Sequence, residues 1–106
     1  MRLAKQKILI KKVIKAHSSV REWKQDKKGY FLIRVNRKKG LIEAAFCNNR
    51  HVCSILITGK NAQDIYYTII REKLVSNLQH AAYLGKELYK AEMALKKKID
   101  YIQDKE

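Results

Sequence analysis

A chain of 106 residues, 46% of them apolar, has room for one domain with one core, and that apolar content excludes a wholly disordered polypeptide. No apolar run approaches the ~18–20 residues needed to cross a bilayer, and no long apolar stretch or small-residue cleavage site follows the basic start. An intracellular, cytoplasmic protein without a membrane partner is therefore expected. The net charge of +14 is uneven, since residues 1–40 carry 14 basic side chains against two acidic ones, and it points to an anionic partner such as nucleic acid.

Residues 1–22 form a basic N-terminal segment with two readings. Leu3, Ile10, Val13, Ile14 and His17 recur near helical spacing, with Lys5, Lys11, Lys12 and Lys15 outside that stripe. An edge strand over Ile8 to Ile14 is the alternative, although the Lys11-Lys12 pair breaks its alternation. Residues 23–106 read as a single α+β domain. Trp23 to Gly29 is a polar turn leading into a strand over Tyr30 to Asn36. Asn36 to Gly40 is a hairpin loop, Leu41 to Cys47 a second strand, and His51 to Thr58 a third, all rich in β-branched and aromatic residues. Such short connections force an antiparallel meander of three strands, or four if the N-terminal segment joins it.

Two helices follow. Asn61 caps the first, with Asp64 beside its positive dipole end, and Ala62, Ile65, Tyr66, Ile69 and Ile70 share a face that ends near Lys73. Ser76 and Gln79 read as a capping box for a long second helix from about Asn77 to Tyr101. Ala81, Leu84, Leu88, Ala91, Leu95, Ile99 and Ile102 align along it, and Leu78, Ala82, Gly85 and Tyr89 widen the stripe. A helix so broadly apolar must cover the sheet and also meet the first helix or a second subunit, so a homo-oligomer stays in play. The expected architecture is a meander with two helices on one face.

Few residues suggest chemistry. Cys47, His51 and Cys53 offer three zinc-type ligands around one turn, but a structural zinc site takes four, and buried strand cysteines are the simpler reading. Two cysteines in a chain expected to stay inside the cell argue against a structural disulfide. Glu92 projects close to the centre of the apolar stripe of the last helix. A carboxylate there pairs with Lys96 one turn on, or faces a cavity. His80 and Glu87 line one edge of the same helix and with Glu92 could make a polar patch. Trp23 either covers one end of the core or stacks a base among Lys24, Lys27 and Lys28. The phosphate loops, nucleophile elbows and metalloprotease motifs of the common enzyme classes are missing.

Several stretches resemble an uncharacterised archaeal and bacterial domain family, found alone or as the C-terminal part of dihydropteroate synthase-related proteins and near methyltransferase-subunit-A-like modules. They are Asp26 to Ile33, Gly40 to Glu43, Gly59 to Ala62, Leu74 to Ser76, His80 to Leu88 and Lys90 to Glu92. The resemblance implies an accessory domain linked to pterin or one-carbon metabolism, with a pterin or corrinoid as the ligand it would bring. It also implies an interaction surface at His80, Tyr83, Gly85, Glu87 and Glu92, with Asp26 from the first matched stretch. The chain departs from the family pattern at Phe46-Cys47, where a pair such as His-Tyr is more usual.

The leading expectation is thus a non-enzymatic binding module for a protein or small-molecule partner. The alternative is a nucleic-acid-binding protein that uses Lys11, Lys12, Trp23, Lys27, Lys28, Arg37, Lys38 and Lys39. A third reading makes His80 and Glu92 the acid–base residues of an enzyme.

Overall fold

The computed structural model describes residues 29–48 and 52–103. Readings of residues 1–22, and of Trp23, Asp26, Lys27, Lys28 and His51, lie outside them. Three strands, β1 (Tyr30–Asn36), β2 (Leu41–Cys47) and β3 (Cys53–Gly59), form an antiparallel sheet in the order β1-β2-β3. Helices α1 (Ala62–Arg71) and α2 (Leu78–Lys97) follow. The α+β meander with two C-terminal helices on one face, the second one long, is the architecture the residue pattern implies.

The register explains which side chains meet. Phe31, Ile33 and Val35 lie opposite Phe46, Ala44 and Ile42, which in turn face Ile55, Ile57 and Gly59 on β3. Side chains alternate between the faces of a strand, so this set forms one continuous apolar surface. Ile65 and Ile69 of α1 and Leu84, Leu88 and Ala91 of α2 close over it. The rings of Phe31 and Phe46 sit 5.1 Å apart at its centre. The opposite face is buried too, around Leu32, Ala45, Cys47 and Leu56.

The turns rest on side-chain acceptors. In the β1–β2 turn Asn36 Oδ1 accepts from the Lys39 amide at 3.1 Å, and Gly40 supplies the positive φ. Asn48 Oδ1 accepts from the Val52 amide at 3.1 Å across the next turn. A register shift between Phe46 and Cys47 brings Cys47 opposite Cys53, and the two are joined as a disulfide. This corrects the expectation of two free strand cysteines and removes both sulfurs from any zinc site with His51. The spacing alone could not reveal the irregularity that aligns them.

Helix α1 starts as expected, with Asn61 Oδ1 accepting from the Asp64 amide at 2.9 Å. Helix α2 does not start at the proposed capping box. Asn77 is its cap, accepting from the His80 amide at 2.7 Å. Nor does the helix reach Tyr101. Lys98 takes a left-handed conformation (φ 57°), and its amide and that of Ile99 bond back to Leu95 and Ala94. Ile99 and Ile102 therefore leave the helical stripe and stand more than half exposed. A lysine in place of glycine at this stop hid the helix end from the sequence pattern.

Gly29 enters β1 with φ +145°, and a Cβ built there would collide with the Cys47 carbonyl on the neighbouring strand. Gly29→Ala is expected to lower stability by more than about 2 kcal/mol, since strained backbone and steric overlap act together. Urea unfolding followed by far-UV circular dichroism measures this.

Candidate functional site

Apart from Asp26, which lies outside the described residues, the proposed surface residues all lie on α2, but the helix distributes them among different neighbours. His80 sits on the first turn with its ring buried against Phe31 and stacked on Tyr83, at centroid distances of 6.2 and 6.1 Å. The Tyr83 hydroxyl accepts from Gln103 Nε2 at 2.7 Å. One turn further, the Glu87 carboxylate is only 2% exposed. It accepts from the Tyr101 hydroxyl at 2.7 Å and pairs with Lys90 at 3.0 Å. Tyr83 and Glu87 thus hold the chain that follows α2.

Glu92 faces the other way, towards the start of α1. One carboxylate oxygen accepts from the Ala62 amide at 2.6 Å, and the other pairs with Lys96 at 3.0 Å. The first amides of a helix have no partner within it, so Glu92 caps α1 from outside. That bond from Ala62 holds the Glu92 carboxyl below its usual range, and Lys96 lowers it further against a smaller opposing effect of burial. The pair with Lys96 matches the structural reading of this residue. The cap on Ala62, thirty residues away, is what the sequence did not disclose.

His80 and Glu92 stand twelve residues apart, about 18 Å along the helix axis. They do not meet, and no acid–base pair forms between them. Gly85 opens onto a groove of about 250 Å³ between α1 and α2, lined by Ala62, Gln63, Tyr66, Tyr67 and Leu88. Its missing Cβ leaves Tyr66 the nearest neighbour, 3.8 Å from where that atom would be. A second depression, of about 300 Å³, lies at the far end of α2 among Tyr89, Met93, Lys97, Ile99 and Ile102. The second half of the predicted stripe, Leu78, Ala82 and Tyr89, points outward, with Leu78 83% exposed.

Among the described residues no group of three or more His, Cys, Asp or Glu side chains could hold a metal ion. None of their helices is long and apolar enough to cross a membrane. Of the proposed basic surface, Arg37, Lys38 and Lys39 are described, and all are exposed at the β1–β2 turn, Arg37 paired with Asp100 at 2.9 Å. Sequence reasoning missed Glu43, Tyr101, Gln103 and the tyrosine pair of α1. Glu43 is buried on β2 and pairs at 3.1 Å with Arg34, its cross-strand neighbour. A charged residue inside an apolar strand was the available signal.

The profile of a family described as PterinBD-DUF4346 matches residues 25–104. The uncharacterized protein MJ0107 of Methanocaldococcus jannaschii is 40% identical over 92 residues, covering 87% of this chain. The chain spans only 17% of that protein's length. The uncharacterized protein ycf91 of Porphyra purpurea is 38% identical over 86 residues, covering 74% of this chain and 70% of the relative. The Ycf91-like protein of Nostoc is 29% identical over 105 residues, covering 74% and 83%. No solved structure matches.

Because the folded state depresses the Glu92 carboxyl, its contribution to stability is complete above the ordinary value of 4.5 and is lost as pH falls through the lower folded-state value. Glu92→Gln is expected to cost about 1 kcal/mol at neutral pH. The gap between variant and parent should narrow on acidification below pH 4.5. Denaturant midpoints of both proteins across pH 2.5–7 check the sign.

Proposed function

Since this chain belongs to the PterinBD-DUF4346 family, we propose that it is a non-enzymatic binding or accessory module serving pterin or one-carbon chemistry. The observation that carries this reading is the groove between α1 and α2. Tyr66 and Tyr67 supply aromatic surface, Leu88 an apolar floor and Gln63 a carboxamide, while Gly85 keeps the space open. A planar heterocycle with an amide-like edge meets its requirements there, since a ring stacks on tyrosine and a carboxamide reads donor–acceptor pairs. A pterin has this chemistry. A corrinoid is far larger than the groove and would engage it only through an edge.

Thermal-shift titration with unsubstituted pterin and with cobalamin tests the reading. Pterin is expected to raise the melting temperature with concentration, as any ligand selective for the folded state does. Gly85→Val, which fills the groove, should abolish the rise. No pterin-dependent shift, or one equal in Gly85→Val, would sink the proposal. Gly85→Ala is the matched control. A methyl group meets Tyr66 at ordinary contact distance, so this variant should gain about 0.5–1 kcal/mol from helix propensity.

A second reading is supported by Arg37, Lys38 and Lys39, which project together from one turn of a chain with net charge +14. Nucleic-acid binding predicts an affinity for duplex or single-stranded oligonucleotide that falls steeply with salt. Neutralising Lys38 and Lys39 should reduce the slope of log K against log salt by up to about two. Fluorescence anisotropy at several salt concentrations measures it, and an unchanged slope removes this turn from the interface.

A further inference from the structure

Helix α2 meets the sheet on one side and α1 on another, and its remaining side is apolar and exposed. Leu78, Ala82, Tyr89 and Met93 form a row there, spaced by four, seven and four residues, which keeps side chains in line along a helix. Leu78 is 83% exposed and Tyr89 60%. The row runs into the depression of about 300 Å³ at the far end of α2. The left-handed turn at Lys98 brings Ile99 and Ile102 round, so that they line it together with Tyr89 and Met93. Single surface hydrophobics are ordinary, but a continuous row that leads into a cavity marks a contact site.

A second row runs beside the first. Lys86, Lys90 and Lys97 follow the same spacing of four and seven, and the last two border the depression. The carboxylates nearby are already held. Glu92 caps α1, the buried Glu87 pairs with Lys90, and Asp100 pairs with Arg37. Lys86 and Lys97 therefore give the rim its sign. A second copy of this chain would bring lysine against lysine, and like charges across an interface oppose association. A bilayer surface takes in protruding apolar side chains and would leave a depression unfilled. A segment with one apolar side and acidic flanks satisfies both the cavity and the rim. In MJ0107 the matched stretch is 17% of the chain, so this kind of domain also occurs with a much larger polypeptide attached.

We propose that the outer side of α2 binds an acidic amphipathic helix of a partner protein. Its apolar side lies along Leu78, Ala82, Tyr89 and Met93, and one large side chain is anchored in the depression between Met93 and the two isoleucines. Helices dock in this way through apolar residues three and four positions apart, and a few anchors seated in pockets carry most of the binding. Glutamates or aspartates on the flank meet Lys86 and Lys97, which fixes orientation and speeds encounter. The depression shares no lining residue with the groove at Gly85.

Fluorescence anisotropy with two labelled peptides tests this on the full chain. One peptide has leucine and phenylalanine along one helical side and glutamate on both flanks. The other has the same composition, scrambled so that no apolar side forms. The patterned peptide is expected to bind saturably, and the scrambled one about tenfold more weakly, because it offers no anchor. Tyr89→Glu and Lys86→Glu/Lys97→Glu should each weaken the patterned peptide about tenfold. Lys38→Glu/Lys39→Glu makes the same change of charge at the β1–β2 turn and should alter binding by less than about threefold. All of these side chains are exposed, so the variants keep the fold, which circular dichroism checks. Should Tyr89→Glu still fail to fold, the double lysine variant decides. Equal affinity for both peptides would mean adsorption to net charge and overturns the proposal. So does an equal loss in the helix and turn variants, or no saturable binding of the patterned peptide. Association into dimers, or onto phosphatidylglycerol vesicles, that Tyr89→Glu abolishes while the peptide does not bind would give this surface to a second copy or to a membrane instead.

Discussion

The Gln103 side chain connects the three parts of this fold that local interactions cannot hold together. It bonds to the backbone of β1 through both ends of its amide and to the Tyr83 hydroxyl on α2. A buried backbone amide or carbonyl without a partner costs on the order of 1–3 kcal/mol, so the groups at Phe31 and Ile33 need some neighbour. The sheet offers none on that side among the described residues, and a side-chain amide seventy positions away in sequence supplies both bonds. The packing of α2 across the sheet and the path of the chain after it are fixed by the same contact. Tyr83 then stacks on His80, which rests against Phe31, so one polar bridge and one aromatic cluster share their members.

A similar logic governs the other polar residues of α2. Glu87 holds Tyr101, and Glu92 caps α1, each keeping a lysine one turn along the helix as counter-ion. Removing such a carboxylate from water is costly unless hydrogen bonds and opposite charge replace the lost hydration, and both residues have both. Their placement near or within the apolar face is therefore structural. Glu92 couples the two helices end to side, and its low proton affinity follows from the amide it accepts. The groove beside Gly85 lies between these same helices, so the Glu92 cap also sets the spacing of its walls.

Periodicity made the meander, both helices and the core face legible, because alternation in strands and 3.6-residue spacing in helices depend on local neighbours alone. Phe31, Ile33, Ile42, Ala44, Ile65, Leu84 and Leu88 fall inside as that pattern requires. Chain reversals without a local mark stayed hidden. The left-handed lysine at 98 ends α2 where glycine is usual, so Ile99 and Ile102 looked like further turns of the helix. The Cys47–Cys53 pairing depends on a register shift, which no alternation pattern encodes. Most of the proposed surface lies on one helix, and those members face different partners because residues seven or twelve apart on one helix need not share a neighbour. Gln103 and Tyr101 carried no signal at all, since their importance arises only when the chain folds back on β1.

The described residues contain six carboxylates, and the way each is held bears on whether the domain does chemistry. Glu43 pairs with Arg34, Asp100 with Arg37, Glu72 with Arg71, Glu87 with Lys90 and Glu92 with Lys96. Asp64 sits in the first turn of α1, bonded to the cap residue Asn61. A general base must exchange its proton near the working pH, and that calls for an environment which destabilises the anion. Glu92 has the opposite environment, and a proton placed on it would uncap α1. Acid–base work by Glu92 would thus loosen the framework that positions it.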